Sequence, residues 1–162
     1  MKMVTLFKTV LVLLLATVTL TLSAQCDGHQ ALIDKMDKAM AEKNPALLDD
    51  VYTADAVRHT QQGDEVGLEQ IKASAALFYE NIPDASGTNR DVICTDDQVV
   101  VRWEGTGTPK GSTEKVSVTG ITIMKVVKGK VVEEWEEMNS LSLMMQMGYE
   151  LKPPAMTDGG KE

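Results

Sequence analysis

The stretch that decides the fold is Lys130 to Gly148, KVVEEWEEMNSLSLMMQMG. Its first half alternates apolar and acidic residues around Trp135, and this period of two residues predicts a β-strand. Its second half carries methionine and leucine at helical spacing, which predicts a short amphipathic helix. A glycine stands at each end of the unit, where turns are expected. We therefore predict a strand that runs directly into a helix.

Upstream of this unit the hydrophobic period changes near Thr88. Before that residue the pattern is helical, with one short strand predicted at residues 56–61. The predicted helices span residues 31–43, 45–52 and 67–80. After Thr88 the period is two, and the predicted strands span residues 88–95, 98–105, 115–127 and 130–138. Helices followed by a meander of long strands predict an α+β domain with the helices on one face of a bent antiparallel sheet.

The two ends of the chain are expected to lie outside this domain. Residues 1–24 combine two early lysines, an apolar run and small residues at the end, as is typical of a secretory signal peptide. An uncleaved anchor is one alternative. A lipid on Cys26 is another, disfavoured by the bulky residue before it. We expect a domain over residues 25–150, a flexible tail over residues 151–162, and an exported protein, periplasmic or extracellular, without a stable membrane anchor.

Charge and cysteine content limit the classes of partner. The 162-residue chain carries 24 acidic side chains against 16 lysines and arginines, a net charge of −8. Such a surface repels phosphate backbones, so nucleic acid is not an expected partner. Cys26 and Cys94 can form a disulfide in an exported protein, or remain free thiols with Cys94 buried as a small apolar residue. No metal-ligand spacing, phosphate loop or serine nucleophile motif occurs in the sequence, and no cofactor is expected.

Several landmarks, in this order, resemble the SnoaL-like polyketide (ester) cyclases of the nuclear-transport-factor-like α+β superfamily. The final unit matches that family's "G-K-I-V-E-x-W" strand and "L-x-x-x-Q-L-G" helix. The other landmarks are Asn44, the Y-x-x-D-A-V-x-H of residues 52–59, Gly67, Ile82-Pro83-Asp84, Val99 to Trp103, and the G-T-G-T of residues 105–108. The resemblance implies a cone-shaped α+β barrel, in which a bent antiparallel sheet wraps a pocket and the N-terminal helices cover its concave face.

The resemblance also bears on activity. The polyketide cyclases use an Asp as general acid/base, but that position is Asn139 here, and an amide cannot exchange a proton near neutral pH. The position of the family's "G-T-H" histidine is Pro109. Together with the predicted signal peptide, the resemblance implies an exported protein that binds a small apolar, polyketide-like molecule, with cofactor-free cyclase or isomerase chemistry as a hypothesis. The alternative is a non-catalytic binding or scaffold module that has lost the acid/base Asp.

The candidate catalytic residues are His59 and Asn139. The ordinary pKa of histidine is close to neutrality and suits a base, although a hydrogen-bonded structural histidine would fit the same pattern. Asn139 would donate a hydrogen bond to a substrate carbonyl. The candidate ligand-binding residues, expected to line one cavity with these two, are Tyr52, Phe78, Trp103 and Trp135. The two tryptophans would serve equally well as plain core residues.

Four glutamates flank Trp135 in the final strand. Alternation sends Glu134 and Glu136 to one face and Glu133 and Glu137 to the other. A carboxylate directed into an apolar cone would have a raised pKa and could act as a base. The other interpretation is the solvated edge of an acidic protein.

The long strand of residues 115–127 is apolar on both faces. One face carries Val116, Val118, Thr122, Met124 and Val126, and the other carries Ile121, Ile123 and Val127. The helices can cover only one of these faces, so the other needs a partner. We therefore expect a homodimer formed through the outer face of the sheet.

Overall fold

The computed structural model describes residues 26–152. The predicted signal peptide and residues 153–162 of the predicted tail lie outside this range. The elements are α1 (Gln30–Glu42), a 3-10 helix (Pro45–Asp50), β1 (Tyr52–Thr60), β2 (Gly63–Val66), α2 (Leu68–Asn81), β3 (Ser86–Cys94), β4 (Gln98–Gly107), β5 (Val116–Val127), β6 (Lys130–Met138) and α3 (Ser140–Gln146). Within residues 26–152, no helix combines the length and the apolar character needed to cross a membrane.

The strands form one curved six-stranded sheet in the order β2-β1-β6-β5-β4-β3. This confirms the predicted α+β architecture. The pairs β3–β4, β4–β5 and β5–β6 are antiparallel, as expected. The unpredicted strand β2 pairs with β1 antiparallel, but β1 and β6 are parallel. A hairpin must reverse the chain, whereas the long connection from β1 to β6 leaves either direction open. The local sequence pattern therefore could not predict that β1 and β6 pair in parallel.

The segment around β1 differs most from the sequence-based expectation. The predicted second helix is a shorter 3-10 helix, which Asn44 caps by accepting a hydrogen bond from the Ala46 amide. Because this helix stops at Asp50, β1 begins at Tyr52 rather than at residue 56. The chain turns at residues 61–62 and then forms β2, an unpredicted strand of only four residues that pairs with β1.

The core lies between the helices and the concave face of the sheet. On β5 the burial alternates: Met124 and Val126 are buried, while Ile123 and Val127 are exposed, so the inward positions are fixed. The buried cluster comprises Leu32, Ile33, Val51, Tyr52, Ala56, Ile71, Cys94, Val99, Val101, Met124, Val126 and Val131. Two of these residues come from α1 and one from α2, which confirms that the helices cover the concave face.

A disulfide joins Cys26, just before α1, to Cys94 at the end of β3. Of the two states that the sequence allows, the structure has the bonded one. His29 Nε2 donates a hydrogen bond to the Thr95 carbonyl oxygen at 2.8 Å. Both contacts fasten the start of α1 to the sheet.

Candidate functional site

A group of ionisable side chains lies on the concave face, beside the apolar core. Alternation along β6 directs Glu134 and Glu136 inward, where they lie opposite Met124 and Thr122 of β5. Glu134 is only 2% exposed, whereas most glutamates of soluble proteins lie in water. A carboxyl group at such a position needs partners, because burial without them is costly.

The first partner of Glu134 is Tyr52, at the start of β1. The Tyr52 hydroxyl donates to Glu134 Oε2 at 2.6 Å, and the tyrosine is itself 4% exposed. Burial and the neighbouring carboxyl of Glu134 raise the pKa of Tyr52 well above its usual range. The phenol therefore stays neutral and acts as a hydrogen-bond donor.

The second feature is an ion pair between Arg58 of β1 and Glu65 of β2. Arg58 Nε donates to Glu65 Oε2 at 2.7 Å, and Arg58 Nη2 lies 2.6 Å from the same oxygen. The positive charge of Arg58 also acts on Glu134, which lies opposite it in the register of β1 and β6. The concave site thus contains three carboxyl groups and one guanidinium.

The proton affinity of Glu134 is set by this environment. Burial raises the pKa of Glu134 to about 7, although the hydrogen bond from Tyr52 and the charge of Arg58 act in the opposite direction. Burial also raises the pKa of Glu136. A carboxyl group that exchanges its proton near neutral pH is suited to general acid/base chemistry.

An aromatic side chain lies next to these acids. Trp103 of β4 donates from Nε1 to Thr122 Oγ1 at 2.9 Å. Its indole lies against the Gly120 backbone, and a Cβ on Gly120 would be 2.3 Å from Trp103 Cζ2. Because Thr122 is the cross-strand neighbour of Glu136, the indole and the carboxyl groups share one face.

His59 lies on the opposite face of the sheet. Neighbouring residues of a strand point to opposite sides, and Arg58 takes the inward position. The His59 ring stacks on Trp135 with centroids 5.5 Å apart, and its nitrogens contact Asp64 at 2.8 Å and Glu133 at 3.3 Å. The hydrogen bond with Asp64 is the main cause of a raised pKa of His59. The prediction that His59 and Trp135 line the concave cavity is therefore wrong.

Asn139 caps the last helix. Its side-chain oxygen accepts a hydrogen bond from the Ser142 backbone amide at 3.1 Å, and its backbone amide donates to the Thr119 carbonyl oxygen. A hollow of about 480 Å³ lies beside it, lined by Asn139, Leu141, Ser142, Met145 and Gln146. None of these side chains titrates near neutral pH, so the group around Glu134 is the better candidate site.

The six predicted site residues are therefore not brought together. Tyr52 and Trp103 lie on the concave face with Glu134, while Phe78 is exposed on α2 with its ring edge against Tyr79. The predicted single cavity fails because it combined residues from both faces of the sheet.

The sequence patterns did not identify Arg58 or Glu65, and they left Glu134 and Glu136 as one of two glutamate pairs that could face inward. Alternation predicted that one pair of glutamates points inward, but it could not say which pair shares a face with the helices. The inward direction of Glu134 follows from its position opposite Met124, an inward residue of β5. That position is known only once the register of the two strands is known. Among residues 26–152, no group of three or more histidine, cysteine or acidic side chains is arranged to hold a metal ion.

Comparison with known proteins places the chain in a family. The model of the SnoaL-like polyketide cyclases matches residues 30–147. No protein among the curated ones matches the chain. The structure of TsrD from Streptomyces laurentii is similar, with 26% identity and a TM-score of 0.68, covering 74% of this chain and 93% of that one.

Two further solved structures share the fold. A putative polyketide cyclase from Bacillus cereus is 25% identical with a TM-score of 0.64, covering 72% of this chain and 78% of that one. A protein from Catenulispora acidiphila with a ketosteroid isomerase-like fold, solved in complex with trimethylamine, is 20% identical with a TM-score of 0.68, covering 75% and 97%. With the family match over most of the described residues, the chain belongs to the SnoaL-like polyketide cyclase family.

Proposed function

We propose that this protein binds a small, largely apolar molecule on the concave side of its sheet and transfers a proton by means of Glu134, without a cofactor. The observation that carries the proposal is the buried Tyr52–Glu134 pair, in which the pKa of the carboxyl group is about 7. A base with this pKa is half ionised at neutral pH, which is close to the optimum for proton transfer.

The arrangement suits the removal of a proton from a carbon next to a carbonyl group. The ionised form of Glu134 would accept the proton, and the Tyr52 hydroxyl would stabilise the ionised form. Trp103 would provide an apolar wall beside the acids. Glu134 would thereby supply the acid/base group that Asn139 cannot supply, from a position within β6 rather than after it.

The test is proton–deuterium exchange of weakly acidic carbon positions in a panel of cyclic ketones and β-diketones, followed by NMR in D₂O. We expect Glu134→Gln to lower the exchange rate by at least about 10²-fold, as for the loss of a general base. Glu137→Gln, on the same strand but facing outward, is the matched control and should leave the rate unchanged. Exchange should accelerate as the pH rises through about 7, because the ionised carboxylate is the base.

The second candidate function is a binding or scaffold module without catalysis. The observation in its favour is that Asn139 stands at the family's Asp position and caps a helix. Binding that quenches Trp103 fluorescence, without exchange above the buffer rate in any compound of the panel, would support this module and contradict the catalytic proposal.

The proposal extends to assembly and location. Outward-facing Ile121, Ile123 and Trp135 are exposed, and a second copy of the chain would cover them.

The Cys26–Cys94 disulfide is consistent with export, because disulfides persist in oxidising compartments. N-terminal sequencing of the protein recovered outside the cytoplasm should begin near residue 25; a retained Met1 would contradict export with cleavage.

A further inference from the structure

One cation stands between two carboxyl groups on the concave face. In the register of the sheet, Arg58 of β1 lies opposite Glu65 of β2 on one side and opposite Glu134 of β6 on the other. Residues directly opposite each other on neighbouring strands project to the same face, with Cβ atoms about 5 Å apart. The guanidinium of Arg58 is therefore within reach of either carboxyl group.

The structure pairs Arg58 with Glu65. Both hydrogen-bonding nitrogens, Nε and Nη2, are directed at Glu65 Oε2, and the two side chains are 17% and 15% exposed. Within residues 26–152 Arg58 makes no hydrogen bond or ion pair with Glu134, whose Oε2 accepts from Tyr52 instead. Glu134 is thus left with a neutral donor as its nearest partner.

We propose that Glu65 is a positioning residue for the Glu134 site: by holding the Arg58 guanidinium, it prevents that cation from pairing with the Glu134 carboxyl. The inference rests on the proposed function, since it names what keeps Glu134 able to carry a proton at neutral pH. The short edge strand β2, which contributes no apolar core residue, would then serve to place this one carboxylate.

The physical reason is competition for one positive charge. A cation that pairs directly with a carboxyl group lowers its pKa by about 1 to 3. If Glu65 released Arg58, the guanidinium could turn towards Glu134, stabilise its ionised form and bring its pKa back towards the ordinary range. The other groups that face Glu134 are Tyr52 of β1 and Glu136 of β6, with Tyr79 of α2 beside Arg58.

The test is titration of Glu134 by carbon NMR in protein labelled at the glutamate side-chain carboxyl, with the signal assigned by its loss in Glu134→Gln. We expect Glu65→Gln to lower the pKa of Glu134 by at least about 1. The matched control is Glu137→Gln, which removes the same charge from the outward face of β6 and should leave the titration unchanged. If Glu65→Gln does not fold, Glu65→Thr, which suits an edge strand, gives the same comparison.

A double-mutant cycle separates pairing from the charge of Glu65 itself. In an Arg58→Gln background there is no guanidinium to release, so Glu65→Gln should change the pKa of Glu134 much less than it does in the natural protein. An equal change in both backgrounds, or no change in either, would overturn the inference.

The titration needs no substrate, so the two proposals can fail separately. A Glu134 that titrates near 4.5 in the natural protein contradicts the proposed function. A Glu134 that titrates near 7 and does not respond to Glu65→Gln contradicts only the role of Glu65.

Discussion

At the scale of single residues, burial of Glu134 makes the stability of the fold depend on pH, because the ionised carboxylate is buried at alkaline pH. Its pKa is about 7 in the folded protein, whereas the ordinary value is 4.5. Below pH 4.5 the carboxyl group is protonated in both states and burial costs no charge. Above pH 7 it is ionised in both states, and the buried charge weakens the fold. The difference between the two values corresponds to roughly 3 kcal/mol of stability, lost as the pH rises from 4.5 to 7.

We therefore predict that Glu134→Gln is more stable than the natural protein at pH 8 and of similar stability at pH 4.5. The amide oxygen can still accept the hydrogen bond from Tyr52, while the buried charge is gone. Urea unfolding of both proteins from pH 4.5 to pH 8 measures the difference, which should grow with pH to roughly 3 kcal/mol. A difference that is constant across this range would show that Glu134 has an ordinary pKa.

A second residue-scale prediction concerns Gly120, whose lack of a side chain makes room for Trp103. A Cβ would lie 2.3 Å from the indole and 2.6 Å from the Glu137 carbonyl oxygen, and the backbone cannot yield as a flexible side chain can. Gly120→Ala should destabilise the fold by about 1 to 3 kcal/mol, as overpacking does, and alter Trp103 emission. Gly87→Ala is the control, since its Cβ would meet only the flexible Met40 side chain. Equal losses in the two variants would contradict this account.

At the scale of elements, α1 is fastened to the sheet at its start. The disulfide between Cys26 and Cys94 spans 68 residues of sequence, and the core residues Leu32 and Ile33 follow within the next turns of chain. A cross-link over a loop of this length restricts the unfolded chain strongly. The contribution of α1 to the core therefore depends on a covalent bond as well as on its apolar stripe.

We predict that replacing both Cys26 and Cys94 by serine lowers the free energy of unfolding by about 2 to 5 kcal/mol. Chemical denaturation without reductant compares the variant with the natural protein. A reducing agent should destabilise the natural protein by a similar amount and leave the variant unchanged. If the natural protein does not respond to reductant under unfolding conditions, the two cysteines are not bonded in solution.

The elements themselves show how far local sequence leads. The strands from Ser86 to Met138 were predictable, since alternation and turn residues act over short distances. The placement of β1 beside β6 was not, because it depends on contacts distant in sequence. That pairing decides the site: it sets Arg58 opposite Glu134 and directs His59 outward. Tyr52 is buried on the concave face, but its partner Glu134 could not be identified without the register of β1 and β6.

At the scale of the whole molecule, the outer face of the sheet is more apolar than a free surface requires. A row of outward side chains crosses four strands, from Ile93 through Val100 and Ile123 to Trp135, with each residue opposite the next in the register. His59 continues the row on β1 and stacks on Trp135. Because the helices occupy the concave side, nothing in residues 26–152 covers this row, and an exposed apolar patch of this kind suits a two-fold dimer.

We predict that the protein is a homodimer at tens of micromolar, an order of concentration at which a specific dimer forms, and that Ile123→Lys converts it to a folded monomer. The lysine would place a charge at the centre of the apolar row, where dimer formation would bury it without a partner. Light scattering measures the mass, and circular dichroism checks the fold. Leu77→Lys is the control, because Leu77 is also apolar and is more exposed than Ile123, but it lies on α2, away from the outer face. A natural protein that is monomeric at this concentration would refute the dimer. A dimer that survives Ile123→Lys but not Leu77→Lys would place the interface on the helical side instead.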